Sequence, residues 1–127
     1  MLNSIELVRE LVALPGPPGQ ESAVREAVAA HTNHLNCVSE TDARGNLLVS
    51  LPGARGIPEK PEIVVMAHLD EIALIVQRVE ADGRLAVTAL GGLFPWKWGE
   101  CSVLILASGG PITGIVSFGS IHTTRFP

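Results

Sequence analysis

The sequence has little of several features on which whole classes of protein depend. Lysine and arginine number 9 in 127 residues and form no cluster, and the net charge is -4, so nucleic acid is not an expected partner. Proline, glycine or charge interrupts every apolar stretch before the roughly 18 residues that a membrane-spanning helix needs. No basic segment followed by an apolar one opens the chain, which argues against a secretory signal. These absences predict a soluble, cytoplasmic protein.

Cysteine is also scarce. Cys37 and Cys101 form no Cys-x-x-Cys motif and no cluster with histidine, so reduced thiols are expected rather than a disulfide or a metal site. What the chain does have is 46% hydrophobic residues, enough for a core, and only 17% charged residues, which argues against disorder. Its length is that of one ordinary domain.

Helical spacing dominates the first 35 residues. Leucines recur at i, i+4 and i+7 in the first segment, and Asn3 with Glu6 has the spacing of a capping box. The Pro-Gly-Pro-Pro-Gly segment at 15–19 ends that helix, because proline removes donors and restricts the residue before it. The pattern predicts helices at 3–14 and 20–35.

From residue 37 the hydrophobic period falls from about four to two, which is typical of strands. Turn-forming segments at 42–46, 80–83 and 108–111 indicate hairpins. The apolar run at 63–67 predicts a strand buried on both faces of a helix-covered sheet. The full set of predicted strands is 37–41, 47–51, 63–67, 72–79, 84–90, 103–107 and 112–118.

The run Ala67-His68-Leu69-Asp70-Glu71 carries the chemistry, at the end where open α/β sheets place their ligands. His68 and Asp70 are two residues apart, so in extended backbone both side chains point to the same side. That arrangement suits a metal-binding imidazole supported by a carboxylate. A core histidine beside surface acids is the alternative that spacing alone leaves open. The pattern is neither that of the zinc deaminases nor His-Glu-x-x-His.

Other candidate residues give weaker signals. His31 and His34 fall in the second predicted helix, where a position on the helix face is expected rather than metal binding. His122 is a loop residue that could also lie near the site. Trp96 and Trp98 could line a substrate surface or serve in packing.

Five segments of the chain occur in a characteristic order. They are Pro-Gly-Pro-Pro-Gly-Gln-Glu at 15–21, Asp-Ala-Arg-Gly-Asn-Leu at 42–47, 63–76, Gly91-Gly92, and Gly114-Ile115-Val116 ahead of His122. Together they resemble the glutamyl aminopeptidase family of metallopeptidases, which includes the tetrahedral aminopeptidases and proteins once called cellulase M. The similarity runs over essentially the whole chain, and Ala-His-x-Asp-Glu-Ile-x-x-Ile-Val is its most specific part. Ala73 departs from the family, which usually has glycine there.

The resemblance implies a fold and a site. Residues 1–72 would be the first part of an α/β catalytic domain, with two helices and central strands, and 73–127 an inserted, incomplete β-barrel of PDZ-like type. His68 would bind one of two zinc or cobalt ions, and Asp70 would support it. The remaining ligands would follow residue 127, so the chain alone is expected to be inactive. The family also implies a peptide substrate and a homo-oligomer.

Two alternatives remain at this point. The chain could be a non-catalytic remnant that serves as a structural or binding module, for example by edge-strand pairing. It could also belong to a related group of zinc exopeptidases, of carboxypeptidase or aminoacylase type, although an insert directly after the His-x-Asp motif disfavours this.

Overall fold

A computed structural model of the chain describes residues 3–53, 56–57, 60, 63–92, 94, 97 and 99–117. The chain divides into two compact units, Met1–Leu90 and Gly91–Pro127. No helix in the described ranges is long and apolar enough to cross a membrane. The elements are α1 (Ser4–Val12), α2 (Ser22–Thr32), β1 (Val38–Thr41), β2 (Leu47–Ser50), β3 (Ala73–Val79), β4 (Leu85–Leu90), β5 (Cys101–Ala107) and β6 (Gly110–Val116).

The capping box predicted at the start of α1 is confirmed. Asn3 Oδ1 accepts hydrogen bonds from the backbone N–H groups of Ile5 and Glu6, both at 3.0 Å, and Glu6 Oε2 accepts from Asn3 N at 2.9 Å. These bonds satisfy donors that have no partner inside the helix. The helix ends two residues earlier than predicted, in a tighter turn whose last amides bond three residues back.

The second predicted helix is also confirmed and is shorter at both ends. Gln20 N donates to Pro17 O at 2.8 Å in a turn, so α2 begins only at Ser22. Its Val24 is 8% exposed and is the one buried hydrophobic side chain in the described part of the chain. His31 lies in this helix, where its Nε2 is 3.0 Å from Glu10 Oε1 and links α2 to α1.

The first predicted hairpin is formed by the antiparallel strands β1 and β2. In its turn Gly45 has φ +87°, and Asp42 Oδ1 accepts from the N–H groups of Arg44 at 2.9 Å and Asn46 at 2.8 Å. Glycine is needed because L side chains rarely adopt that backbone conformation. Arg25 of α2 donates to Gly45 O at 3.3 Å, which anchors the turn to the helix.

The two later hairpins are confirmed as well. Strands β3 and β4 pair antiparallel within the first unit, with an irregular register between Val76 and Arg78. Strands β5 and β6 pair antiparallel within the second unit around Ser108 and Gly109. Within the described residues the sheets are all two-stranded, and none of them closes. The helices and sheets agree with the predicted α/β class, whereas the described residues do not form the β-barrel expected for 73–127.

The strand predicted at 63–67 is wrong for this chain. The segment 63–72 contains no strand, and the apolar side chains of the predicted run itself, 63–67, are exposed, Val65 by 90%. A strand requires hydrogen-bonded neighbours, and each described strand is already paired with its own hairpin partner. The predicted burial on both faces is therefore absent as well, because strand pairing is a long-range property that the run itself does not encode.

We predict that Asn46→Ala raises the pKa of Asp42. The side-chain hydrogen bond from Asn46 is the largest cause that holds this pKa below its usual value of 3.8. Because the pKa of Asp42 is lower in the folded chain than in the unfolded one, the ionised carboxylate stabilises the turn at pH values above the usual pKa. This stabilisation is lost as the pH falls through the lowered, folded-state pKa. Carboxyl ¹³C NMR titration measures the change.

Asp82 provides the internal control for this prediction. Its pKa is also lowered, chiefly by the backbone N–H of Arg84, in a different turn. The pKa of Asp82 should be the same in the wild type and in Asn46→Ala. An Asp42 pKa that does not move would show that the Asn46 side chain is not the cause.

Candidate metal centre

His68 and Asp70 lie side by side in the segment between residue 63 and β3. His68 Nδ1 is 2.8 Å from the backbone carbonyl oxygen of Asp70 and 3.2 Å from its carboxylate Oδ1. The shorter contact has the geometry of a hydrogen bond, so the backbone oxygen is the better acceptor. The two side chains lie together, as their spacing predicts, and the backbone carbonyl of Asp70 is a third participant in the contact.

The two oxygens determine which ring nitrogen of His68 carries the proton. A carbonyl oxygen accepts and cannot donate, so Nδ1 must be the protonated nitrogen in this contact. In the neutral ring Nε2 then has its lone pair available, which is the form that binds a metal. The side chain of His68 is 85% exposed and that of Asp70 is 44% exposed, so a cation can approach Nε2.

Glu71, the next residue, is held by the turn between the two helices. Gly16 N donates to Glu71 Oε1 at 2.8 Å, and Glu71 N donates to Gly16 O at 2.8 Å. This pair of hydrogen bonds, which we call the Gly16–Glu71 clamp, joins residues 55 apart in the sequence. It ties the segment that carries His68 to the helical part of the first unit.

Gly16 is also the point of closest packing in this region. A Cβ at this position would lie 2.9 Å from Val24 Cγ2 and 3.3 Å from the carbonyl oxygen of Leu69. The first distance is shorter than real Cβ contacts, so any side chain at position 16 would force either the Val24 side chain or the turn to shift. Gly16 is itself buried. Glycine is therefore required here for close approach.

The donor set in the described residues fits one position of a metal site. Imidazole nitrogen is a usual ligand of zinc and similar divalent ions, and His68 supplies one. No group of three or more His, Cys, Asp or Glu side chains in the described ranges is placed to hold an ion. A catalytic zinc takes about three protein ligands. The ligand roles of His68 and Asp70 therefore stay predictions.

The other candidate residues have different outcomes. His31 pairs with Glu10, and His34 is exposed just beyond α2. His122, Trp96 and Trp98 lie outside the described residues.

Sequence reasoning did not find the Gly16–Glu71 clamp. The sequence pattern identifies Gly16 only as part of the segment that ends the first helix, and Glu71 only as part of the His68 motif. The one available signal was a glycine between two prolines, Pro15 and Pro17, where the backbone is already restricted. That pattern does not indicate that Gly16 contacts a residue 55 positions away.

Comparison with known proteins gives consistent matches. The family of M42 glutamyl aminopeptidases matches residues 45–126, which is more than half of the chain. The lysyl aminopeptidase of Pyrococcus furiosus is 30% identical over 121 residues, which are 94% of this chain and 34% of that protein.

Two solved structures resemble the chain in fold. An aminopeptidase from the archaeon Desulfurococcus kamchatkensis has a TM-score of 0.81 at 27% identity, over 97% of this chain and 34% of that one. The Pyrococcus horikoshii TET1 peptidase, which can assemble into a tetrahedron or a large octahedral shell, has a TM-score of 0.77 at 25% identity, over 97% and 36%. The chain thus spans about a third of the length of these relatives.

We predict that Asp70→Ala leaves His68 protonated on Nδ1 in the metal-free chain. The substitution removes the carboxylate and keeps the backbone carbonyl, which is the closer acceptor. Long-range ¹H–¹⁵N correlation spectra distinguish the two neutral tautomers. The exposed ring of His34 in the same spectrum is the reference for an imidazole without such a contact. A shift of His68 toward the His34 pattern would show that the carboxylate determines the tautomer.

Proposed function

This chain belongs to the M42 glutamyl aminopeptidase family, and we propose that it forms the amino-terminal part of a metal-dependent aminopeptidase. In this proposal His68 binds one of two divalent ions, zinc or cobalt, and Asp70 supports His68. The observation that carries the proposal is the orientation of the His68 ring, with Nδ1 directed to Asp70 and an exposed Nε2.

The residues of this chain would supply orientation and charge. Asp70 holds the proton on Nδ1 of His68, so that Nε2 offers its lone pair outward. The Asp70 carboxylate, 3.2 Å from the same nitrogen, places a negative charge beside the ring, which favours a cation bound to the imidazole. When bound, the metal pair would polarise the scissile carbonyl of a peptide and lower the pKa of the attacking water.

The substrate and the assembly follow from the relatives. The lysyl aminopeptidase and the Desulfurococcus kamchatkensis aminopeptidase support a peptide whose amino-terminal residue is released. The tetrahedral or octahedral shells of the TET1 peptidase support a homo-oligomer. We also propose a cytoplasmic location for the protein.

The β part has its own place in the proposal. Residues 73–127 would belong to a PDZ-like β-barrel inserted after residues 1–72 of the catalytic domain. The antiparallel hairpins β3–β4 and β5–β6 support this assignment, because such barrels are built from consecutive antiparallel strands.

The proposal predicts that the product of the complete reading frame carrying this chain releases amino-terminal residues from aminoacyl-p-nitroanilides. Removal of metal with a chelator should abolish release, and zinc or cobalt should restore it. Loss of a residue that only supports a metal ligand lowers activity by up to about 100-fold. His68→Ala removes the proposed ligand itself and should therefore lower kcat/KM by more than that.

His34→Ala is the matched control, since it removes an exposed histidine from the end of α2 and should leave kcat/KM unchanged. An active His68→Ala protein would contradict the assignment of the ligand. A protein that releases no residue with either metal would contradict the proposed activity and favour the non-catalytic module.

We also predict that the isolated 127-residue chain is inactive. Isothermal titration should show no tight binding of two zinc ions per chain, because His68 is a single ligand and no described cluster supplies the others. Tight stoichiometric binding of two ions would show that the ligand count is wrong.

A further inference from the structure

We propose that Gly16 is a positioning residue for His68 and acts through the peptide unit that joins Asp70 to Glu71. The inference rests on the proposed function, because it concerns how the candidate metal ligand is oriented. It assigns a role in orienting His68 to the turn between α1 and α2, which no sequence motif connects to the candidate metal site.

The first step is a relay of two hydrogen bonds through one peptide unit. Gly16 O accepts from Glu71 N at 2.8 Å, and Asp70 O accepts from His68 Nδ1 at 2.8 Å. Glu71 N–H and Asp70 C=O belong to the same planar unit. In a trans peptide they point in opposite directions, and the described residues contain no cis peptide. The hydrogen bond on one side therefore sets the direction of the acceptor on the other.

The second step is the return contact. Gly16 N donates to Glu71 Oε1 at 2.8 Å in a partly buried position. Gly16 thus contacts both the backbone N–H and the side chain of Glu71, which fixes residue 71 at two points. Linked hydrogen bonds also polarise one another, which strengthens the carbonyl of Asp70 as an acceptor.

The third step is the rigidity of the turn. Gly16 is packed so closely against Val24 and Leu69 O that a Cβ does not fit. Pro15 and Pro17 flank it and limit the backbone on both sides. Val24 belongs to α2, so the position of the helix is transmitted to the peptide unit. The imidazole is then oriented before any ion binds, which reduces the ordering that binding has to impose.

The test uses variants at both ends of the clamp. Glu71→Ala removes the carboxylate acceptor, Glu71→Gln keeps an oxygen acceptor, and Gly16→Ala displaces the turn. Glu21→Ala is the matched control, since Glu21 Oε1 accepts from Gly19 N in the same turn without contact to Glu71. The readouts are the His68 tautomer in the metal-free chain and the zinc affinity of the complete-frame protein.

We expect Gly16→Ala and Glu71→Ala to change His68 from the Nδ1-protonated form to a mixture of tautomers like that of His34. The zinc affinity should fall about 10-fold in both, the lower range for outer-shell losses. Glu71→Gln should restore both readouts, and Glu21→Ala should leave them unchanged. If Glu71→Ala does not fold, Glu71→Met, which keeps the side-chain length without an acceptor, replaces it.

A purely structural role of the clamp predicts a different result. Gly16→Ala and Glu71→Ala would then lower the melting temperature while His68 stayed protonated on Nδ1, and this outcome would overturn the proposal. Failure of the proposed function is separate, since it would appear as an inactive wild-type protein whatever the tautomer. The spectra of the metal-free chain report on positioning alone.

Discussion

The clamp between Gly16 and Glu71 is the contact on which the arrangement of the first unit depends. It joins the helical segment to the candidate metal ligand across 55 residues of sequence. Closing a loop of that length costs on the order of 3–4 kcal/mol. Two hydrogen bonds contribute about 2 kcal/mol together. Val24, the one buried hydrophobic side chain of the described residues, packs against Gly16 and adds apolar burial to these two bonds.

The remaining apolar surface is largely exposed. The side chains of 63–66 are uncovered, and each described sheet consists of a single hairpin. Isolated two-stranded hairpins are marginally stable in water. The elements are thus locally well specified, by turns such as that around Asp42 and Gly45, and little long-range packing joins them. This pattern agrees with a chain that spans about a third of the length of its relatives.

The features that could be predicted from the sequence are those with local causes. The capping box of Asn3 and Glu6 and the three hairpins depend on residues a few positions apart, and all of them are present. The strand at 63–67 and the clamp depend on partners far along the chain, and the sequence indicated neither correctly. For the site, the spacing of His68 and Asp70 predicted their proximity. That His68 binds a metal ion and that Asp70 supports it stay predictions, because both roles depend on further ligands far along the chain.

Asp70 shows how a two-residue spacing can act on the candidate metal ligand His68 in two separate ways. Its backbone carbonyl is the closer acceptor for His68 Nδ1 and fixes the tautomer, while its carboxylate lies slightly farther away and brings negative charge. Orientation is then a property of the backbone, and Gly16 holds that backbone through both the N–H and the side chain of Glu71. Substitution at either position keeps the backbone groups of the hydrogen bond from Glu71 N to Gly16 O. The two positions are limited in different ways, because a side chain at position 16 meets Val24 and Leu69 O, while position 71 has to supply an acceptor for Gly16 N.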